Sequence, residues 1–138
     1  MLDWLSGENG RNLSECNDLT NAIQEDYNDA LSNIMKTENC SFEEAQAKLS
    51  DELWAHPTDS NCVSDVFGGL SGNKVSGPWG HRSEYWANRE RSAVGKEAFA
   101  EITADSASNA QSLAFTKKYM PKAYSTYQSM IKGARKNG

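Results

Sequence analysis

The sequence predicts a mostly α-helical single domain over residues 1–138, with six or seven helices and at most a short β-hairpin near residues 73–79. Three observations carry this. Apolar residues recur at a helical period through most of the chain. Helix-start and helix-stop residues punctuate the periodic runs. A composition of 38 % hydrophobic and 24 % charged residues is that of a folding globular chain.

The elements follow in order. Met1-Leu2-Asp3-Trp4-Leu5 reads as an apolar helical turn stopped by Gly7 and Gly10. From Ser14 to Lys36, Leu19, Ala22, Ile23, Tyr27, Ala30, Leu31, Ile34 and Met35 define one stripe of an amphipathic helix. Glu15, Asp18, Glu25, Asp26 and Asp29 lie between them and are expected on its solvated face. Ser41-Phe42-Glu43-Glu44 is a capping box that opens a second helix, which His56-Pro57 ends. Val63, Val66, Phe67 and Leu70 mark a third, closed by Gly68-Gly69. Residues 71–80 are rich in Gly and Ser and form a loop, the place for the hairpin. A short helix follows around Tyr85 and Trp86 with Ser83 as cap. Ser92 is expected to cap a helix over Val94–Asp105, and another covers Ala107–Tyr119. Pro121 stands in the first turn of the last helix.

Charge and cysteines narrow the function classes. The net charge of −5 argues against a nucleic-acid partner. Residues 1–59 hold 13 acidic and 3 basic residues, whereas residues 60–138 hold 6 and 11, so the two halves attract when they pack. No apolar run approaches the ~18 residues of a membrane span, and no signal peptide opens the chain. Cys16, Cys40 and Cys62 have neither disulfide-framework nor zinc-finger spacing and are expected as reduced thiols of a cytoplasmic protein. His56 is expected to take part in ending its helix rather than to bind a ligand.

Two places bear chemistry. Gly80-His81-Arg82-Ser83-Glu84-Tyr85-Trp86 sets a His and a Tyr among aromatics. Lys96-Glu97-Ala98-Phe99-Ala100-Glu101 sets two carboxylates one helical turn apart. By spacing, Glu97 and Glu101 read as a solvated pair; the alternative is a metal ligand or a general base.

These segments, together with Lys117-Lys118-Tyr119-Met120-Pro121-Lys122-Ala123-Tyr124, resemble the C-terminal part of lethal-factor-type (gluzincin) zinc metallopeptidase-like domains. Such domains occur in phage head-morphogenesis proteins and polymorphic toxins. The resemblance implies that Glu97 matches the third zinc ligand. It places Glu101 and His81 behind that ligand, where a carboxylate orients a ligating His, and makes Tyr85 the match for an oxyanion-stabilising tyrosine. The family takes its other two ligands and its general base from an H-E-x-x-H helix. This chain has only His56 and His81 and no such motif.

Met1-Leu2-Asp3-Trp4-Leu5 is similar to the residues that follow that motif, so the domain is expected to be N-terminally incomplete. Leu2, Trp4 and Leu5 should then pack beside the Glu97 helix, whose acidic face should border a groove. The implied function is a remnant or fragment of a zinc-dependent peptidase-like domain from a phage or mobile element. It is expected to be inactive as it stands and to hold no cofactor, whereas an intact relative holds zinc. The alternative is a non-catalytic protein-interaction or assembly domain, with a protein partner and self-association through the exposed groove; a toxin effector is weaker.

Overall fold

The computed structural model describes residues 10–87 and 89–137. The expected packing of Leu2, Trp4 and Leu5 lies outside the described residues. Seven helices are described: α1 (Gly10–Glu38), α2 (Phe42–Ala55), α3 (Asn61–Ser71), α4 (Ser83–Ala87), α5 (Ser92–Ser108), α6 (Ala110–Tyr119) and α7 (Pro121–Asn137). No strand occurs among the described residues.

α1 is the spine. Its Leu19, Ile23, Tyr27 and Leu31, four residues apart, lie on one face and are at most 5 % exposed. α2, α5 and α7 all pack against α1. α3 adds Val63, Val66 and Phe67 to the core, α5 adds Val94, Ala98, Phe99 and Ile102, and α7 adds Ala123, Tyr127 and Met130. The Tyr27 ring meets Phe67 edge-on at 5.3 Å, and its hydroxyl accepts a hydrogen bond from Gln46 Nε2 at 3.0 Å. The polar tip of this core residue is thereby satisfied.

Gly95 fixes how closely α5 lies on α1. A Cβ there would overlap the Cys16 carbonyl oxygen and stand 2.9 Å from Thr20 Oγ1. The approach lets Gly95 N–H donate to Thr20 Oγ1 at 2.9 Å. Thr20 Oγ1 in turn lies 3.0 Å from the carbonyl oxygens of Cys16 and Arg91, as their donor.

Several local expectations hold. The Ser41 box is complete: Glu44 N–H donates to Ser41 Oγ at 3.1 Å, and Ser41 N–H to Glu44 Oε1 at 2.8 Å. His56 is the C-cap of α2, and its ring lies 5.1 Å from that of Phe115. All three cysteines are free.

Others are corrected. The hairpin at 73–79 is instead a folded loop. Its backbone is pinned by serines, with Val75 N–H donating to Ser71 Oγ at 3.0 Å and Ser76 N–H to Ser50 Oγ at 3.1 Å. Side chains thus supply the partners a second strand would have given, and Val75 is fully buried. Ser83 and Ser92 are not caps but the first residues of α4 and α5. α5 runs on to Ser108, and Asn109 caps α6 by accepting from Ser112 N–H at 3.1 Å.

Asp26 leaves the solvated face assigned to it. It is 2 % exposed, and its carboxylate accepts from Lys122 N–H at 3.2 Å and Ala123 N–H at 2.8 Å. Those are first-turn donors of α7, which the helix itself cannot satisfy. Nearby, Lys122 Nζ bridges Glu25 at 3.2 Å and Asp29 at 3.0 Å, joining the acidic and basic halves of the sequence.

Candidate functional site

Four elements converge on one shallow cavity of about 310 Å³ lined by Asn61, Asp65, Trp79, Gly80, His81, Glu97 and Glu101. α3 contributes Asp65, the loop contributes His81, and α5 contributes Glu97 and Glu101. α4 sits behind with Tyr85 and Trp86.

Gly80 makes the approach of the loop to α3 feasible. Its φ is 151°, and a Cβ there would lie 3.6 Å from the Asp65 Cα. The chain therefore passes close over α3 and sets His81 Nδ1 2.9 Å from Asp65 Oδ1. Asn73, itself at φ 63°, steadies the loop by donating to the His81 carbonyl at 3.3 Å.

The His81 ring stacks on Tyr85 at 3.6 Å and 14°. The Arg89 guanidinium lies 3.8 Å from the centre of the same tyrosine ring. Two groups at these distances cannot share a face, so Tyr85 is sandwiched between imidazole and guanidinium. Trp86 closes the cluster edge-on, 5.6 Å from His81 and 4.9 Å from Tyr85. So held, Tyr85 donates its hydroxyl proton to Glu97 Oε2 at 2.6 Å. That bond and partial burial push the Tyr85 hydroxyl above its ordinary value. The tyrosine that the resemblance assigns to an oxyanion thus directs its proton at the carboxylate assigned to the metal.

Glu97 and Glu101 are not a solvated pair. Both are half-buried, and Glu101 Oε2 is shut off from solvent without a hydrogen-bond partner. Burial above all, then a hydrogen bond with Asp65 and the charges of Asp65, Glu97 and Asp105, push the Glu101 carboxyl up to about 11.

Asp65 is the residue sequence reasoning missed. It sits in Val63-Ser64-Asp65-Val66-Phe67 and is 5 % exposed. Its signal was a charged residue with apolar residues on both sides, close to the buried stripe of a short helix. In the fold one donor atom each from Asp65, His81 and Glu97 lie within 4.8 Å of one another. Asp65 thus joins Glu97 as a second carboxylate facing the same imidazole. One imidazole nitrogen with two carboxylate oxygens is a donor set suited to a divalent first-row ion. His56, at the end of α2, pairs with Glu52 at 3.3 Å and lines no part of this cavity.

No helix among the described residues is long and apolar enough to cross a membrane. Comparison with protein-family models, curated proteins and solved structures returned no match.

Proposed function

We propose that the chain carries the Glu97 side of a zinc-peptidase-like centre, of the kind met in phage or mobile-element proteins, and does not hydrolyse peptides by itself. The supporting observation is convergence: of the residues the resemblance singles out, His81, Glu97 and Glu101 line one cavity and Tyr85 bonds to Glu97 from behind it, although the four span 21 residues of sequence. In such a centre Glu97 is the carboxylate ligand. Tyr85 fixes its rotamer through the 2.6 Å bond. Asp65 orients the His81 ring through the 2.9 Å contact with its Nδ1. Zinc, when bound, supplies Lewis acidity and an activated water. The two histidines and the general-base glutamate of an H-E-x-x-H helix are not in this sequence, which is why hydrolysis is not expected.

The test fuses a helix carrying H-E-x-x-H ahead of Met1. With Asp65→Asn and His81→Gln also introduced, so that only Glu97 and the added motif can ligate, the fusion should bind one zinc per chain that the unfused double variant does not, and Glu97→Gln should abolish that binding; no zinc, or zinc binding indifferent to Glu97→Gln, overturns the reading. The unfused chain, incubated with zinc and a peptide library, should leave the library intact. Cleavage lost on Glu97→Gln would show the chain to be a peptidase in its own right.

A further inference from the structure

The geometry points to a divalent-cation site formed by Asp65, His81 and Glu97 alone, in the chain as it stands, with zinc as the best-matched ion. It takes up the cavity of the peptidase-like reading but does not need that reading: no added histidine helix enters it, and Asp65, there a partner that orients His81, is here itself a ligand.

The first observation is the spacing of the donors. Zinc binds carboxylate oxygen and imidazole nitrogen at roughly 2.0–2.2 Å, which sets neighbouring donors about 3–4 Å apart. His81 Nδ1 and Asp65 Oδ1 are already 2.9 Å apart, and all three donors lie within 4.8 Å. Shifts of about 1 Å close the set around one ion. A cation would take the place of the hydrogen that now joins His81 and Asp65.

The second observation is charge and satisfaction. Asp65 and Glu97 face this cavity with one imidazole, and Asp65 is a carboxylate buried to 5 % exposure. Buried carboxylates are found paired, hydrogen-bonded or on metals. Two further oxygens that line the cavity, Asn61 Oδ1 and Glu101 Oε2, are closed to solvent and accept no hydrogen bond. The Arg89 guanidinium is engaged on Tyr85, donating from Nε to its carbonyl at 2.9 Å.

The third observation is preorganisation. His81 is fixed by stacking on Tyr85 and Glu97 by the Tyr85 hydroxyl, so two of the three donors hang on one anchored ring. Such support behind the ligands is what tunes metal affinity. The open side of the cavity leaves room for water or a ligand to complete the coordination.

The experiment titrates the full-length chain with cobalt(II), read by visible absorption, and with zinc, read by competition and by thermal melting. The expected result is one cobalt per chain with an absorption band that zinc abolishes, and a melting temperature raised by zinc. Asp65→Asn, His81→Gln and Glu97→Gln should each weaken binding by about tenfold or more. Glu25→Gln, an exposed acid of α1, should not. Melting in EDTA checks that each variant is folded, and Tyr85→Phe, which keeps the ring but frees Glu97, should weaken binding less than the ligand variants. No band and no melting shift overturn the proposal. So does weak binding that survives all three ligand variants, which would be scattered surface carboxylates.

Discussion

Gly95→Ala tests whether the close seating of α5 on α1 holds the Glu97 helix in place. In an ordinary helix interior this change gains about 1 kcal/mol from helix propensity. Here the new Cβ overlaps the Cys16 carbonyl oxygen and stands 3.0 Å from the carbonyl carbon, so backbone rather than a flexible tip must yield. Forcing an extra carbon into a filled contact costs typically ~1–3 kcal/mol. Separating the helices also strains the buried Gly95–Thr20 hydrogen bond, worth about 1–3 kcal/mol when a buried partner is left unsatisfied. Offset by the propensity gain, the net loss is about 2–4 kcal/mol, and the midpoint falls by roughly 10 °C for a chain of this size. Urea unfolding followed by circular dichroism measures it, with an unchanged slope as the sign of a native-state effect. Gly133→Ala is the control: nothing lies within 4 Å of its added Cβ in α7, so it should gain up to about 1 kcal/mol. If Gly95→Ala proves as stable as wild type, the seating of α5 is not what the structure describes.

Phe99→Ala should cost about 3–5 kcal/mol, since Phe99 is 1 % exposed and packs 5.1 Å from the Tyr127 ring. Glu97→Gln, on the same helix, keeps an acceptor for Tyr85 and should stay within about 1 kcal/mol of wild type in EDTA; thermal melts decide both. Asp26 has its carboxyl raised, chiefly by burial, although the α7 amides pull it down. Its contribution is therefore complete below the ordinary carboxylate pKa and is lost as pH rises through the raised value. The stability of wild type minus that of Asp26→Asn should fall across that window and level off above it; a rising difference would refute the sign. Thiol titration should find Cys40 reactive in the native state, with Cys16 and Cys62 silent until unfolding. Both are fully buried, and burial pushes both thiols above their ordinary range, Cys62 well above it.

What the sequence made legible was local. The Ser41–Glu44 box needs only a three-residue spacing, and the α1 stripe only a period, so both could be read in one dimension. The 71–80 loop failed as a hairpin because Gly and Ser mark a turn without saying whether strands flank it. Serine hydroxyls on α2 and α3 answered its backbone instead. The site failed for the same reason at longer range. Glu97 and Glu101 are neighbours on a helix, but Asp65 reaches them through the packing of α3 on α5, and His81 through a loop that crosses α3 at Gly80. A single carboxylate in an apolar run gives no hint of which distant residue will answer it.

The cap that Asp26 places on α7 has a kinetic side. Met120, the residue before Pro121, has no oxygen on its side chain to receive first-turn amides, and the acceptor lies 96 and 97 residues earlier in the chain. The first turn of α7 closes its own backbone bond, Tyr124 N–H to the Met120 carbonyl at 2.9 Å, but its Lys122 and Ala123 amides find no acceptor in the residues around them. It is completed only when the two ends of the molecule have met, a long loop closure that comes late and slowly. In deuterated water the Lys122 and Ala123 amides should consequently exchange by whole-molecule opening rather than by the fraying usual at helix ends. The start of the last helix would then report on the integrity of the first.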